Sequence, residues 1–352
     1  MRIEELKPYV NQARAHLFSF PNVRSVGAGP VWEEGRMTKE LGIIVGVEEK
    51  LPEAMLTREN IIPRELEGTG IRVDVIRAEN PRALPLLRSA ADIPEYDCSW
   101  FDVMRSGVGL AHFQVTGGTL GDYRADWNDG TSNNHVVANQ NNASPGDPIY
   151  QPSPICQVDN RIVAELIAFE RIKFLGEDSQ CPWSQSWAAF SNYFMEVANR
   201  KTRFKALTKL DPFAADTVNH VDVGFIRFKE EGILADERIE RTEKEWRGYR
   251  DEAELGEMLF KSGARTRYTE FPCIQKYVSV SVQYGLGKIA MYENQDAGDN
   301  PGGTKVNAGD SGDMDGGLSD IKRTDLTFAG SDTLSILSPY MFVREAHERL
   351  IG

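Results

Sequence analysis

From Gly107 onward the chain is written in short β-prone runs separated by glycine-rich turns and polar loops, the texture of a β-barrel or sandwich. Two stretches interrupt it. Trp183 to Phe204 carries Trp187, Phe190, Phe194 and Val197 at helical spacing, an aromatic stripe that reads as core. Lys229 to Phe260 is dominated by charge and ends in Leu255, Met258 and Leu259, the pattern of a solvated helix with many opposite-charge neighbours. Both read as helical insertions, near 183–204 and 229–260.

The first eighty residues differ. Ile3, Leu6, Val10, Ala13 and Leu17 alternate three- and four-residue steps, which places them on one face of a helix closed by Pro21. Three strand-like stretches follow, Asn22 to Trp32, Glu40 to Val47 and Gly70 to Ile76, with Glu33-Glu34-Gly35 as the turn between the first two. Residues 1–80 thus read as a small helix-plus-sheet domain. Residues 81–106, mixing prolines and charges, read as a linker, and residues 107–352 as the main domain.

A chain of 352 residues has room for two such units. With 53 acidic against 40 basic residues its formal net charge is -13, which repels a phosphate backbone and argues against nucleic acid and anionic lipid as partners. The longest apolar run, Leu41 to Val47, is far short of the roughly 20 residues that span a bilayer. The opening Met-Arg-Ile-Glu-Glu-Leu-Lys-Pro lacks the apolar stretch of a secretory signal, so cytoplasmic residence is expected. Cys98, Cys156, Cys181 and Cys273 are scattered, without a CxxC pair, and read as reduced thiols rather than a disulfide framework or zinc site.

The chemistry concentrates in three segments. Gly309-Asp310-Ser311-Gly312 lies in a glycine-rich loop before the last strands. A serine hydroxyl becomes a useful nucleophile only beside a base, with backbone N–H groups facing the oxyanion. Thr131-Ser132-Asn133-Asn134-His135-Val136 offers a histidine after a polar turn, and Val221-Asp222-Val223-Gly224-Phe225-Ile226 embeds a carboxylate in an apolar run. A buried carboxylate is costly without a partner, and a histidine N–H supplies one. The order His, Asp, Ser is that of chymotrypsin among the serine hydrolases.

These segments, with Ile62-Pro63-Arg64-Glu65-Leu66-Glu67-Gly68, Thr119-Leu120-Gly121, Gly146-Asp147-Pro148-Ile149, Lys261-Ser262-Gly263 and Phe328-Ala329-Gly330-Ser331, give the chain a resemblance to trypsin-like serine peptidases, in particular the intracellular branch that includes the plant narrow-leaf protein and its bacterial relatives. The resemblance implies a mainly β fold with α insertions: a chymotrypsin-like double β-barrel, two packed six-stranded barrels with the active site in the cleft, preceded by the small α/β N-terminal domain. It further implies Ser311 as nucleophile, His135 as general base and Asp222 as orienting carboxylate. The N–H groups of Gly309 and Ser311 become the oxyanion hole, and Asp310 holds their loop in shape. Lys305, six residues before Ser311, falls at the base of the pocket for the side chain preceding the cut, with Phe328, Ala329, Gly330 and Ser331 as its walls.

Two histidines compete for the role of base, His112, which resembles a structural position, and His220, two residues from Asp222. The family continues after its nucleophile with small and apolar residues, whereas Asp313-Met314-Asp315-Gly316-Gly317 follows here, so a disordered or gated loop is expected. The acidic residues Asp296, Asp299, Asp310, Asp313 and Asp315 match no EF-hand spacing, and no metal or cofactor is expected. The expected activity is cleavage of a protein or peptide substrate. Two rivals are a catalytically gated or inactive protein-binding module and a serine esterase. The N-terminal domain carries no chemical motif and suits a regulatory partner or self-association.

Overall fold

The computed structural model describes residues 1–83, 95–176, 213, 217–229 and 233–352. The helical insertion expected at 183–204 lies outside the described residues. Helix α1 (Lys7–Leu17) follows a 3-10 turn at Ile3–Leu6, and the periodic residues Leu6, Val10, Ala13 and Leu17 are all buried. They pack on β1 (Val23–Glu33), β2 (Arg36–Val47) and β4 (Ile71–Arg77), with the short β3 (Glu65–Leu66) at the far edge. Glu34 and Gly35 turn β1 into β2 with φ of 49° and 77°, the pair of positive values that a tight hairpin requires.

Two six-stranded units follow. The first sheet runs β7 (Ala111–His112), β10 (Pro148–Gln151), β11 (Arg161–Phe169), β13 (Gly224–Phe228), β9 (Asp129–Ser132) and β8 (Asp122–Arg124). It wraps an apolar cluster that includes Leu110, Leu120, Val136, Ile149, Val163 and Ile226. In the second, β15 (Met258–Gly263), β16 (Arg267–Gln283), β17 (Ile289–Asp299), β20 (Leu334–Pro339), β19 (Arg323–Gly330) and β18 (Met314–Gly317) pair in that order, and β18 returns to β15 to close the ring. The mainly β, two-barrel plan implied by the resemblance is present. The C-terminal helix α3 (Tyr340–Leu350) packs Tyr340, Val343 and Ala346 against Phe225, Trp246 and Leu326, after the short α2 (Asn134–Val137) that carries His135.

The N-terminal strands are not a separate sheet. β1 pairs antiparallel with β16, so they extend the second barrel outward. The stretch read as a linker also contributes strands: β5 (Arg82–Ala83) pairs with β16 and β19, and β6 (Val103–Ser106) pairs with β14 (Leu234–Ile239). β12 (Val218–Asn219) lies parallel to β17.

Two expectations are corrected. The described part of 229–260 forms no helix; it holds β14, irregular chain and the start of β15. Its charges reach partners distant in sequence, Arg241 to Asp97, Arg250 to Asp320 and Glu252 to Lys276, instead of neighbours four residues away. Cys98 and Cys156 are joined as a disulfide, 58 residues apart in sequence but with Cα atoms 5.5 Å apart, so these two are not reduced thiols. Cys273 is a buried free thiol. No helix among the described residues is long and apolar enough to cross a membrane.

Candidate active site

Asp222 immediately precedes Val223 and β13, in the apolar run that buries it completely. Its carboxylate is well supplied with donors. Oδ2 accepts from His135 Nδ1 at 2.7 Å and from the Tyr284 hydroxyl at 2.7 Å, and Oδ1 accepts the His135 backbone N–H at 3.3 Å. Asn133 donates its amide to the Asp222 carbonyl at 2.8 Å, joining the turn before α2 to the chain that leads into β13. Two contacts from one carboxylate fix the imidazole with hydrogen on Nδ1, which leaves Nε2 as an acceptor. That Nε2 is buried and bonded to no other group among the described residues.

Tyr284 and Tyr292, whose hydroxyls are 2.5 Å apart, line the other side. Burial and the Asp222 charge push the Tyr284 phenol well above its ordinary value, so it stays protonated and donates. The Tyr284 ring meets His135 edge-on at 5.8 Å, and Tyr292 packs on Phe328 at 4.6 Å. Neither tyrosine stood out in the sequence. Tyr284 lies just past the end of β16, and nothing local to it points to Asp222.

Ser311 sits between Gly309 and Gly312, whose φ values of 104° and 98° fall in the left-handed region that favours glycine. A Cβ on Gly312 would come within 2.3 Å of both Ser132 Oγ and the Thr119 carbonyl, so the Ser311 loop lies against the strand that leads to His135. Thr119 clamps the loop: its N–H donates to the Ser311 carbonyl at 2.9 Å and its hydroxyl to the Gly309 carbonyl at 2.8 Å. The backbone N–H groups of Gly309 and Ser311 have no acceptor among the described residues. Ser311 is fully buried, and its hydroxyl donates to the Phe328 carbonyl at 3.4 Å rather than to His135.

Asp310 accepts the N–H groups of Arg265 at 3.0 Å, Thr266 at 2.9 Å and Asn307 at 2.9 Å, which fixes the turn before Ser311. The acidic segment after Ser311 is built into the core: Asp313 is buried 2.7 Å from Lys261 Nζ, which lies 3.4 Å from Asp310. Residues Met314–Gly317 form β18 and are buried, so the disordered loop expected there is replaced by a fixed one. Gly263 makes room for this cluster, since a Cβ there would come within 2.3 Å of Asp310 and 2.5 Å of Asp313. Burial pushes the Asp313 carboxyl up to about 7 although the Lys261 ammonium opposes it. Among the described residues no three His, Cys, Asp or Glu side chains are grouped to hold a metal.

The rival histidines are placed elsewhere. His112 Nε2 pairs with Asp147 at 3.2 Å, and the His220 ring stacks on Phe342 at 5.3 Å. A cavity of about 1020 Å³ opens beside the Ser311 loop, lined by Val306, Asn307 and Ala308 and by Gly330, Ser331 and Asp332. Lys305 is not on its wall; its backbone is held by Asn300, Thr266 and Thr269. The N-terminal residues Glu48, Arg77, Glu79 and Arg82 close the far side.

No family model matches the chain, and no curated protein matches it. Among solved structures it is similar to a Cellulomonas bogoriensis chymotrypsin (12% identity, TM-score 0.42, 70% of this chain and 97% of that one). It is also similar to Thermobifida fusca protease A (11%, TM-score 0.40, 70% and 95%) and a Nocardiopsis protease (13%, TM-score 0.41, 70% and 96%).

Proposed function

We propose that the chain is a serine endopeptidase that hydrolyses peptide bonds through an acyl-enzyme. The observation that carries this reading is the buried His135–Asp222 pair, with the carboxylate on Nδ1 at 2.7 Å and Nε2 left free to accept a proton. A histidine held only for packing needs no such orientation.

In this mechanism the Ser311 hydroxyl leaves the Phe328 carbonyl and turns to His135 Nε2. Its Oγ attacks the substrate carbonyl carbon as Nε2 takes the proton, and Asp222 stabilises the imidazolium. The N–H groups of Gly309 and Ser311 receive the oxyanion, a contribution of about 3 to 4 kcal/mol per donor in comparable sites. Collapse of the tetrahedral intermediate breaks the C–N bond, and His135 gives its proton to the departing amine. Water, deprotonated by the same imidazole, then releases the acid and restores Ser311.

A second reading, a fold of this type that binds peptides without cutting them, draws on the full burial of Ser311 and its hydrogen bond to Phe328. A fluorophosphonate probe separates the two. Mass-spectrometric mapping of the adduct to Ser311 supports the hydrolase; an unlabelled, folded protein supports the binding module. Parallel assays on unstructured protein and on simple esters decide between peptidase and esterase.

A further inference from the structure

The peptidase reading requires a place for the substrate main chain, and the structure already has an occupant there. Extended peptides bind by adding a strand to a free sheet edge. Ser311 lies beside Phe328, at the start of the last three residues of β19. One side of that segment belongs to β20, through Ala329↔Ile336 and Gly330↔Ser335. On the other side β18 covers only Arg323 to Leu326, so the edge beyond it, next to the nucleophile, is the one a peptide could use. β5 fills it, pairing antiparallel through Ala329↔Ala83 and Gly330↔Arg82.

The direction of β5 is that of a substrate. As the chain passes from Arg82 to Ala83 its partner passes from Gly330 to Ala329, toward Phe328 and Ser311. A peptide added antiparallel to this edge, with its cleaved bond at Ser311, would bring the residues before that bond along the same course. Ala83 is 1% exposed and packs in the cluster of Tyr284, Tyr292, Phe328 and Ala329, of which Tyr284 contacts both His135 and Asp222. Arg82 lines the cavity beside the nucleophile loop. On its far side β5 is tied to the end of β16, where the Gln283 N–H donates to the Pro81 carbonyl at 2.9 Å.

We infer that Arg82–Ala83 is an intramolecular pseudosubstrate that blocks the strand edge, so that peptide hydrolysis requires β5 to leave β19. The inference rests on the peptidase reading. A two-residue strand is a weak lock, because it has few hydrogen bonds to break and belongs to the low-stability end of local opening. It is therefore suited to release by a partner or by a conformational change in the N-terminal sheet.

The test compares wild type with Ala83→Asp, which puts a carboxylate into the apolar cluster and expels the segment. Hydrolysis of an unstructured protein is expected to rise at least tenfold. The synthetic peptide Glu-Asn-Pro-Arg-Ala, the sequence of residues 79–83, is expected to inhibit the variant competitively and restore the low rate. Unchanged or lower hydrolysis by a folded Ala83→Asp protein whose Ser311 still labels with fluorophosphonate overturns the inference and leaves the peptidase reading standing. If the aspartate variant does not fold, Ala83→Thr is read by the same two outcomes. Absence of Ser311 labelling from every folded variant removes the hydrolase reading, and the pseudosubstrate with it.

Discussion

Tyr284 donates its phenolic hydrogen to Asp222 at 2.7 Å, and so the carboxylate paired with His135 of the first barrel is held by a residue of the second. The contact locks the two halves of the site in register. Tyr284→Phe removes one donor to a buried charge, worth about 1.5–3 kcal/mol. The expected result is a fall in kcat of roughly ten- to a hundredfold with KM little changed, measured by steady-state kinetics. A drop confined to KM would place Tyr284 outside the orientation of His135.

Ser311→Ala is expected to abolish turnover while leaving the melting transition in place. Loss of an activated nucleophile costs roughly 10⁶ in kcat in a comparable hydrolase. His135→Ala should lose about as much, because the two act as a unit, and the double variant should be little worse than either alone. Near-normal hydrolysis by Ser311→Ala refutes the assignment.

The Lys261–Asp313 cluster makes stability depend on pH. In the unfolded chain the Asp313 carboxyl titrates at its ordinary value of 3.8, and burial moves it to about 7 in the folded protein. Between about pH 4 and pH 7 the native state keeps a proton that the unfolded chain has released. The contribution of this group is therefore full below about pH 4 and is lost as pH rises to about 7. Asp313→Asn is expected to flatten this limb in urea melts taken from pH 4 to pH 8; an unchanged slope assigns it to other groups.

The cavity wall carries Asp332 but not Lys305. Profiling on a peptide library should show no change of preference for Lys305→Glu and a shift toward acidic side chains for Asp332→Lys. Reversal by Lys305→Glu instead returns Lys305 to the pocket base.

The disulfide is expected to protect Cys98 and Cys156 from maleimide in the denatured, unreduced protein and to release both on reduction. Labelling of Cys98 before reduction means that the bond does not form where the protein is made.

Several elements were legible because their signal is local. The three- and four-residue steps from Ile3 to Leu17 specify one buried helix face in any context. Gly35 supplies the positive φ that the hairpin after β1 needs, and its place in the turn was readable for that reason. His135 and Asp222 could be paired from the sequence because a carboxylate in an apolar run needs a donor wherever the chain goes, and their side chains do meet. The charged stretch at 229–260 misled for the complementary reason: helical pairing at four-residue spacing and pairing with distant partners use the same residue types, and only closure of the second barrel decided between them.

By itself the sequence singled out His135, Asp222 and Ser311 as candidates and determined most stretches that extend into strands and several turns, since propensity, periodicity and the cost of buried charge act over a few neighbouring residues. The tertiary structure alone decided that Asp222 is shared by His135 and Tyr284, that Lys261 meets Asp313, that Cys98 reaches Cys156 and that Arg82–Ala83 lies on the strand edge beside Ser311. The first three of these join positions 52 to 87 residues apart. Such pairings depend on the order in which strands close into a barrel, which no short window of sequence encodes.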